Sequence, residues 1–134
     1  MKIFIDTNVL ISAALSSTGV VFQAYAKAVT PPNTAVISEQ NVEELFRIFN
    51  RKFPEKLPAL ERFFAAVIND LEIVPVPEER NSLEDLIRDT ADRPIMRADL
   101  AANADIFLTV DRDFLESTIK NPLILSPAQF AKEF

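Results

Sequence analysis

Four places in this chain put carboxylates where chemistry could use them. Asp6 closes the apolar run Ile3-Phe4-Ile5, and Glu43 and Glu44 follow a second apolar run at 34–37. Asp92 stands just ahead of Arg93, with Asp89 three residues earlier, and Asp111 follows the run IFLTV, with Asp113 two residues on. Carboxylates packed together repel and raise one another's pKa. A divalent cation among them keeps them ionised, and such a site activates a water and stabilises charge developing on a phosphoryl group. The chain has no histidine and no cysteine. That removes thiolate catalysis, the commonest general base and the usual zinc ligands. A metal site here is built from oxygen ligands, which suits Mg²⁺ or Mn²⁺.

Each acid also has a structural reading. Asp6 or Asn8 caps a helix starting near Val9, Asp92 caps the helix from Arg93 with Pro94 tolerated in its first turn, and Asp113 caps a helix from Phe114. Glu43 and Glu44 are solvated helix residues, the usual fate of Glu. The pattern, more than any single acid, favours chemistry. Asp6 and Asp111 both follow apolar strands, and in a parallel sheet both strand ends point the same way. Open α/β sheets bind ligands outside those ends.

The elements that must position these acids are legible as alternating short strands and helices. Strands are expected at 3–5, 34–37, 71–76, 106–110 and 123–125. Pro75 and Pro77 close the third or place it at an edge. Helices are expected at 9–15, 19–29, from Ser38 as N-cap to about Lys52, at 58–69 and at 93–103, with short ones from Phe114 and after Ser126-Pro127. Residues 78–91 are polar, with a short helical turn around 83–87. The fold class is α/β: a three-layer α/β/α sandwich on a mainly parallel sheet of four to five strands.

The length, 134 residues, suits one domain spanning 1–134. A hydrophobic share of 49% and a net charge of −6 describe a globular, acidic chain. Acidity argues against a broad nucleic-acid-binding surface, yet a carboxylate metal site itself adds four or five negative charges. No run approaches the roughly 20 apolar residues of a membrane span, and the start lacks a signal-peptide layout. A soluble, cytoplasmic protein is expected, with no membrane partner.

The segments IFIDTNVLISA, SEQNVEEL, RDTADRPIMRADLA and NADIFLTVDRDFL, in this order and spacing, resemble the PIN-domain family, and most of all its VapC-like toxins of toxin–antitoxin pairs. The resemblance implies a doubly wound sheet and a Mg²⁺- or Mn²⁺-dependent endoribonuclease. It implies catalytic roles for Asp6, Glu44, Asp92 and Asp111, and metal ligation by Asp6, Asp92 and Asp111. Asp113 is implied as a further acid, for a second metal or as support, and Thr7, Asn8 and Thr109 as supporting residues. It also implies an RNA substrate, a small antitoxin protein as partner and a homodimer.

Helix arithmetic at about 100° per residue puts Glu43 nearer than Glu44 to the apolar face, whereas the motif selects Glu44, which is followed. Asp99 stands where the family has a small apolar residue. It lies on the face of Asp92 but about 10 Å along the axis. That leaves it to support the site indirectly, to pair with an arginine or to face solvent. Val110 replaces a glycine common in the family and narrows substrate approach. Three rival functions are a haloacid-dehalogenase-like phosphatase, a receiver-like signalling domain and a PIN fold kept as a non-catalytic interaction module. The first two are weakened here: Asn8 stands where the phosphatase needs a second aspartate, and the acids do not follow the receiver pattern.

Overall fold

The computed structural model describes residues Met1–Phe134. Five parallel strands, β1 (Lys2–Ile5), β2 (Thr34–Ser38), β3 (Leu71–Val74), β4 (Ile106–Leu108) and β5 (Leu123–Leu125), form one sheet in the order β3-β2-β1-β4-β5. Seven α-helices lie between and after them: α1 (Thr7–Leu15), α2 (Val20–Val29), α3 (Glu39–Lys52), α4 (Leu57–Val67), α5 (Arg93–Ala102), α6 (Arg112–Leu115) and α7 (Pro127–Glu133). The expected three-layer sandwich is the observed fold.

Successive strand residues point to opposite faces, so each strand feeds two cores. Ile3, Ile5, Ala35, Ile37, Ile106 and Leu108 pack with residues of α1, α2, α3, α4 and α7. Phe4, Val36 and Phe107 pack on the other face with Ile95, Met96 and Ala98 of α5 and Phe114 of α6. A strand buried on both sides must be apolar throughout, which is why these runs do not alternate. Phe107 stacks on Phe4 at 5.4 Å and meets Phe114 at 4.6 Å, tying α6 to the sheet.

Two strands are shorter than their apolar runs. The third ends at Val74, before Pro75, and sits at the sheet edge as its prolines require. The fourth ends at Leu108: the Thr109 N–H still donates to Leu125 O of β5 at 3.0 Å, but the groups beyond it turn to side chains. Thr109 gives its hydroxyl proton to Asp6, and the Val110 N–H donates to Asn8 Oδ1 at 3.4 Å. The polar 78–91 segment does contain one turn, a 3-10 helix over Ser82–Leu86. It is less of a surface feature than its composition suggests, since Glu84 and Ile87 are fully buried.

Candidate active site

The strand order reverses between β1 and β4: β2 and β3 lie to one side, β5 to the other. A crevice opens outside the carboxyl ends of the two central strands at such a point. Asp6 directly follows β1, and Thr109 and Asp111 follow β4. Register does the positioning. Ile5 pairs with Leu108, so the next residues, Asp6 and Thr109, leave the sheet side by side. Thr109 Oγ1 donates to Asp6 Oδ2 at 2.7 Å, and the Asp111 N–H donates to Thr109 Oγ1 at 2.9 Å.

Asp6 is at once helix cap and crevice residue. Its Oδ1 accepts from the Thr7 N–H at 2.8 Å, as an N-cap does. Burial drives its pKa up to about 7 against the lowering effect of these two hydrogen bonds, and the charges of Glu44 and Asp111 raise it further. Thr7 is held in turn: Asn41 Nδ2 donates to its hydroxyl at 2.7 Å. Asn41 Oδ1 accepts from the Ser38 hydroxyl and N–H, closing a capping box that starts α3. One buried polar chain thus links the start of α3 to the first aspartate.

Asp92 is not used as a cap. Asp89 caps the 3-10 turn Thr90–Asp92 by accepting from Ala91 N–H at 2.9 Å, and the Asp92 side chain makes no cap bond to α5. Its carboxyl is left for the crevice. Burial, then the charges of Asp111, Asp89 and Asp6, raise its pKa to about 7. Asp111 caps the turn into α6, accepting from the Asp113 N–H at 2.9 Å. The helix starts at Arg112 with Asp111 as its cap, so Asp113 is not the cap expected for a helix at Phe114. Carboxylate oxygens of Asp89, Asp92 and Asp113 lie within 4.8 Å of one another, close enough to share one cation. Arg88 reaches the edge of this group, 3.0 Å from Asp113 Oδ1 and 3.3 Å from Glu116 Oε1.

Glu44 flanks Asp6 closely enough to raise its pKa, whereas Glu43 is exposed. The helix arithmetic failed on one residue. Counting only apolar positions leaves out Asn41, which is fully buried. With Asn41 included, the buried face of α3 runs through Asn41, Leu45 and Phe49. At about 100° per residue, Glu44 then flanks that face and Glu43 points away from it.

Two acids depart from expectation. Asp89 joins the cluster, although sequence spacing marked it only as a neighbour of Asp92. The signal that could have found it was the Asp-x-x-Asp spacing across a turn. Asp99 neither pairs with an arginine nor faces solvent. It is fully buried, neither oxygen has a hydrogen-bond partner, and burial raises its pKa to about 8. Arg97 pairs instead with Glu84, a residue that the sequence reading passed over.

The donor set can be tested against a divalent cation. All donors are carboxylate oxygens, the ligands a hard cation takes. Two of the acids, Asp6 and Asp92, have pKa values raised to about 7 by burial and mutual repulsion. A cation would relieve that repulsion, so the residues present fit one.

An α/β/α sandwich with an acidic crevice at its topological switch point is the class that fold and site define. A family model described as PIN domain matches residues 2–113, and the chain belongs to that family. No curated protein matches by sequence. Among solved structures, the chain is similar to VapBC2 from Rickettsia felis, solved bound to a DNA fragment from their promoter. The TM-score is 0.69 with 19% identity, over 94% of this chain and 98% of that one. It is also similar to VapC20 from Mycobacterium tuberculosis, described as a sarcin-ricin loop cleaving toxin, with TM-score 0.58 and 17% identity over 85% and 93% of the two chains. These likenesses establish a fold shared with VapC toxins.

Proposed function

We propose that this protein is a divalent-metal-dependent endoribonuclease and the toxin of a toxin–antitoxin pair. One observation carries the reading: Asp6, Asp92 and Asp111, with Glu44 beside them, interact in one crevice at the β1/β4 switch point. Membership of the PIN family and the fold of a toxin that cleaves the sarcin-ricin loop support RNA as the substrate. Asp6, Asp92, Asp111 and Asp113 would hold Mg²⁺ or Mn²⁺. The bound ion supplies a water of lowered pKa and charge stabilisation at the scissile phosphate.

The chain's own residues set the geometry. Thr109 and the Thr7 N–H fix both oxygens of Asp6, so its orientation is decided before any ligand arrives. Glu44 adds negative charge on the other flank, where it favours the proton-accepting side of hydrolysis. Asn8 steadies the Val110 backbone at the mouth, where the half-exposed Val110 side chain restricts approach. Single-stranded RNA enters such a crevice more readily than a duplex, because its bases can splay out.

The whole chain is read as one PIN domain in the cytoplasm, consistent with no single helix being long and apolar enough to cross a membrane. An antitoxin partner is part of the same proposal, supported by the likeness to VapBC2, and a homodimer is proposed from the family resemblance alone. The test is cleavage of single-stranded RNA with added Mn²⁺. Wild type cleaves, and Asp6→Asn, folded by circular dichroism, loses at least about a hundredfold in rate. Equal cleavage by a folded Asp6→Asn protein rejects the mechanism.

A further inference from the structure

Beside the acidic crevice lies its electrostatic opposite. A cavity of about 280 Å³ is lined by Arg80, Glu84, Thr90, Arg93, Pro94 and Arg97. Three guanidinium groups face one carboxylate in a protein whose net charge is −6. That carboxylate is fully engaged. Glu84 is buried, takes Nε and Nη2 of Arg97 at 2.8 and 2.9 Å, and takes Arg80 Nε at 2.8 Å. These bonds hold its pKa down at about 2. Arg97 is therefore a structural cation: it neutralises Glu84 and donates to Pro77 O.

Arg80 and Arg93 keep terminal nitrogens beyond such structural bonds, although Arg80 also gives its Nε to Glu84. Arg93 uses Nε on the Ile87 carbonyl at 3.0 Å, while its nearest acid, Asp85, is 3.9 Å from Nη1. Arg80 keeps its side chain 60% exposed and turns one terminal nitrogen to the same Asp85 carboxylate. Asp85 is itself 56% exposed and makes no other contact of this kind. An exposed Arg80 and a partly buried Arg93, 26% exposed, thus share one surface acid. Exposed ion pairs of this type are weak and are exchanged for a better anion without difficulty. A phosphodiester offers guanidinium groups the same fork of oxygens as a carboxylate.

Position connects this pocket to the chemistry. Thr90 belongs to the turn that carries Asp92, and Arg93 is the next residue along the chain.

We propose that Arg80 and Arg93 form a subsite for a backbone phosphate of the RNA strand flanking the scissile one, with Asp85 as the anion that this phosphate displaces. The inference rests on the ribonuclease reading above and adds where the strand is held. The acidic crevice repels a polyanion, so affinity must come from cations outside it. This pocket supplies them on the side of Asp92.

The test uses the full chain, a fluorescent mixed-sequence single-stranded RNA, EDTA to prevent cleavage, and anisotropy at several salt concentrations. Arg80→Gln and Arg93→Gln each weaken binding roughly five- to tenfold and reduce the salt slope by about one. Asp85→Asn tightens binding, an effect that misfolding cannot imitate. Arg51→Gln, at the far end of α3, changes affinity by less than about twofold, a small fraction of a phosphate contact. Unchanged affinity in both cavity arginine variants, or weaker binding by Asp85→Asn, overturns the subsite. If the wild type still cleaves RNA with Mn²⁺ in that case, the ribonuclease reading stands without it. If the wild type neither binds nor cleaves RNA, both fall.

Discussion

At the scale of the residue, the protonation of Asp6 and Asp92 governs the site. Both have pKa values near 7 in the metal-free protein, mainly through burial and then through neighbouring acids. At pH 6 both carboxyls are largely protonated, and a cation must displace those protons. At pH 8 both are largely ionised and the cation binds without that competition. Mn²⁺ affinity is therefore expected to rise roughly ten- to a hundredfold from pH 6 to pH 8 and to level off above. Calorimetry in two buffers of different ionisation enthalpy measures both the affinity and the protons released. A flat affinity across this range contradicts the assignment of Asp6 and Asp92 to the metal. The same scale explains why a residue so apt for capping is also a site residue. An N-cap needs an oxygen at the end of a strand, and that is where an open sheet places its ligands.

At the scale of the element, α3 shows how a polar residue decides a helix's orientation. Asn41 is the third residue of the helix, and its amide serves the Ser38 cap and the Thr7 hydroxyl together. Asn41→Ala removes three hydrogen bonds in a fully buried place: the Ser38 N–H and hydroxyl lose their acceptor and the Thr7 hydroxyl loses its donor, while the backbone N–H of residue 41 still caps on Ser38 Oγ. Destabilisation of about 2–3 kcal/mol is expected, from the lost half of the capping box and the unsatisfied partners. A urea denaturation midpoint measures it, and a change under about 0.5 kcal/mol, typical of neutral surface sites, would sink the claim that this chain of bonds matters. Ser38 was legible as a cap and α3 as a helix. The family motif selected Glu44 as the acid it presents; periodicity pointed to Glu43, because it counts apolar residues and here the face is centred on a buried amide. The turn into α6 makes a similar point. Phe114 packs on Phe107, so the backbone bearing Asp111 and Asp113 is anchored by the apolar residue that follows them.

At the scale of the whole molecule, Asp99 imposes a pH dependence on folding. Its pKa moves from the ordinary value of 3.8 to about 8 in the fold, through burial alone. Below pH 4 both states carry the proton and the full stability is present. Between about 4 and 8 the unfolded chain ionises while the folded one resists, so stability falls with rising pH, and it levels off above 8. By pH 7 the loss amounts to roughly 4 kcal/mol at most. Asp6 and Asp92 slope in the same direction, so the difference between wild type and Asp99→Asn isolates this residue. The variant is expected to gain on wild type steadily from pH 5 to pH 8 in thermal unfolding. Parallel curves would show that Asp99 ionises freely in the fold.

The sequence by itself determined the element order, the doubly buried strands, and the positions of Asp6 and Asp111 at strand ends and of Asp92 at a helix start. Those follow from local periods, caps and prolines, which act over a few residues. Tertiary structure alone decided what happens between distant segments: that Asp89 joins Asp92 and Asp113, that Arg97 neutralises Glu84, and that Asp99 is left without a partner. The physical reason is the same in each case. A charged side chain's environment is set by which elements pack around it, and a carboxylate's letter in the sequence is identical whether it is solvated, paired or buried.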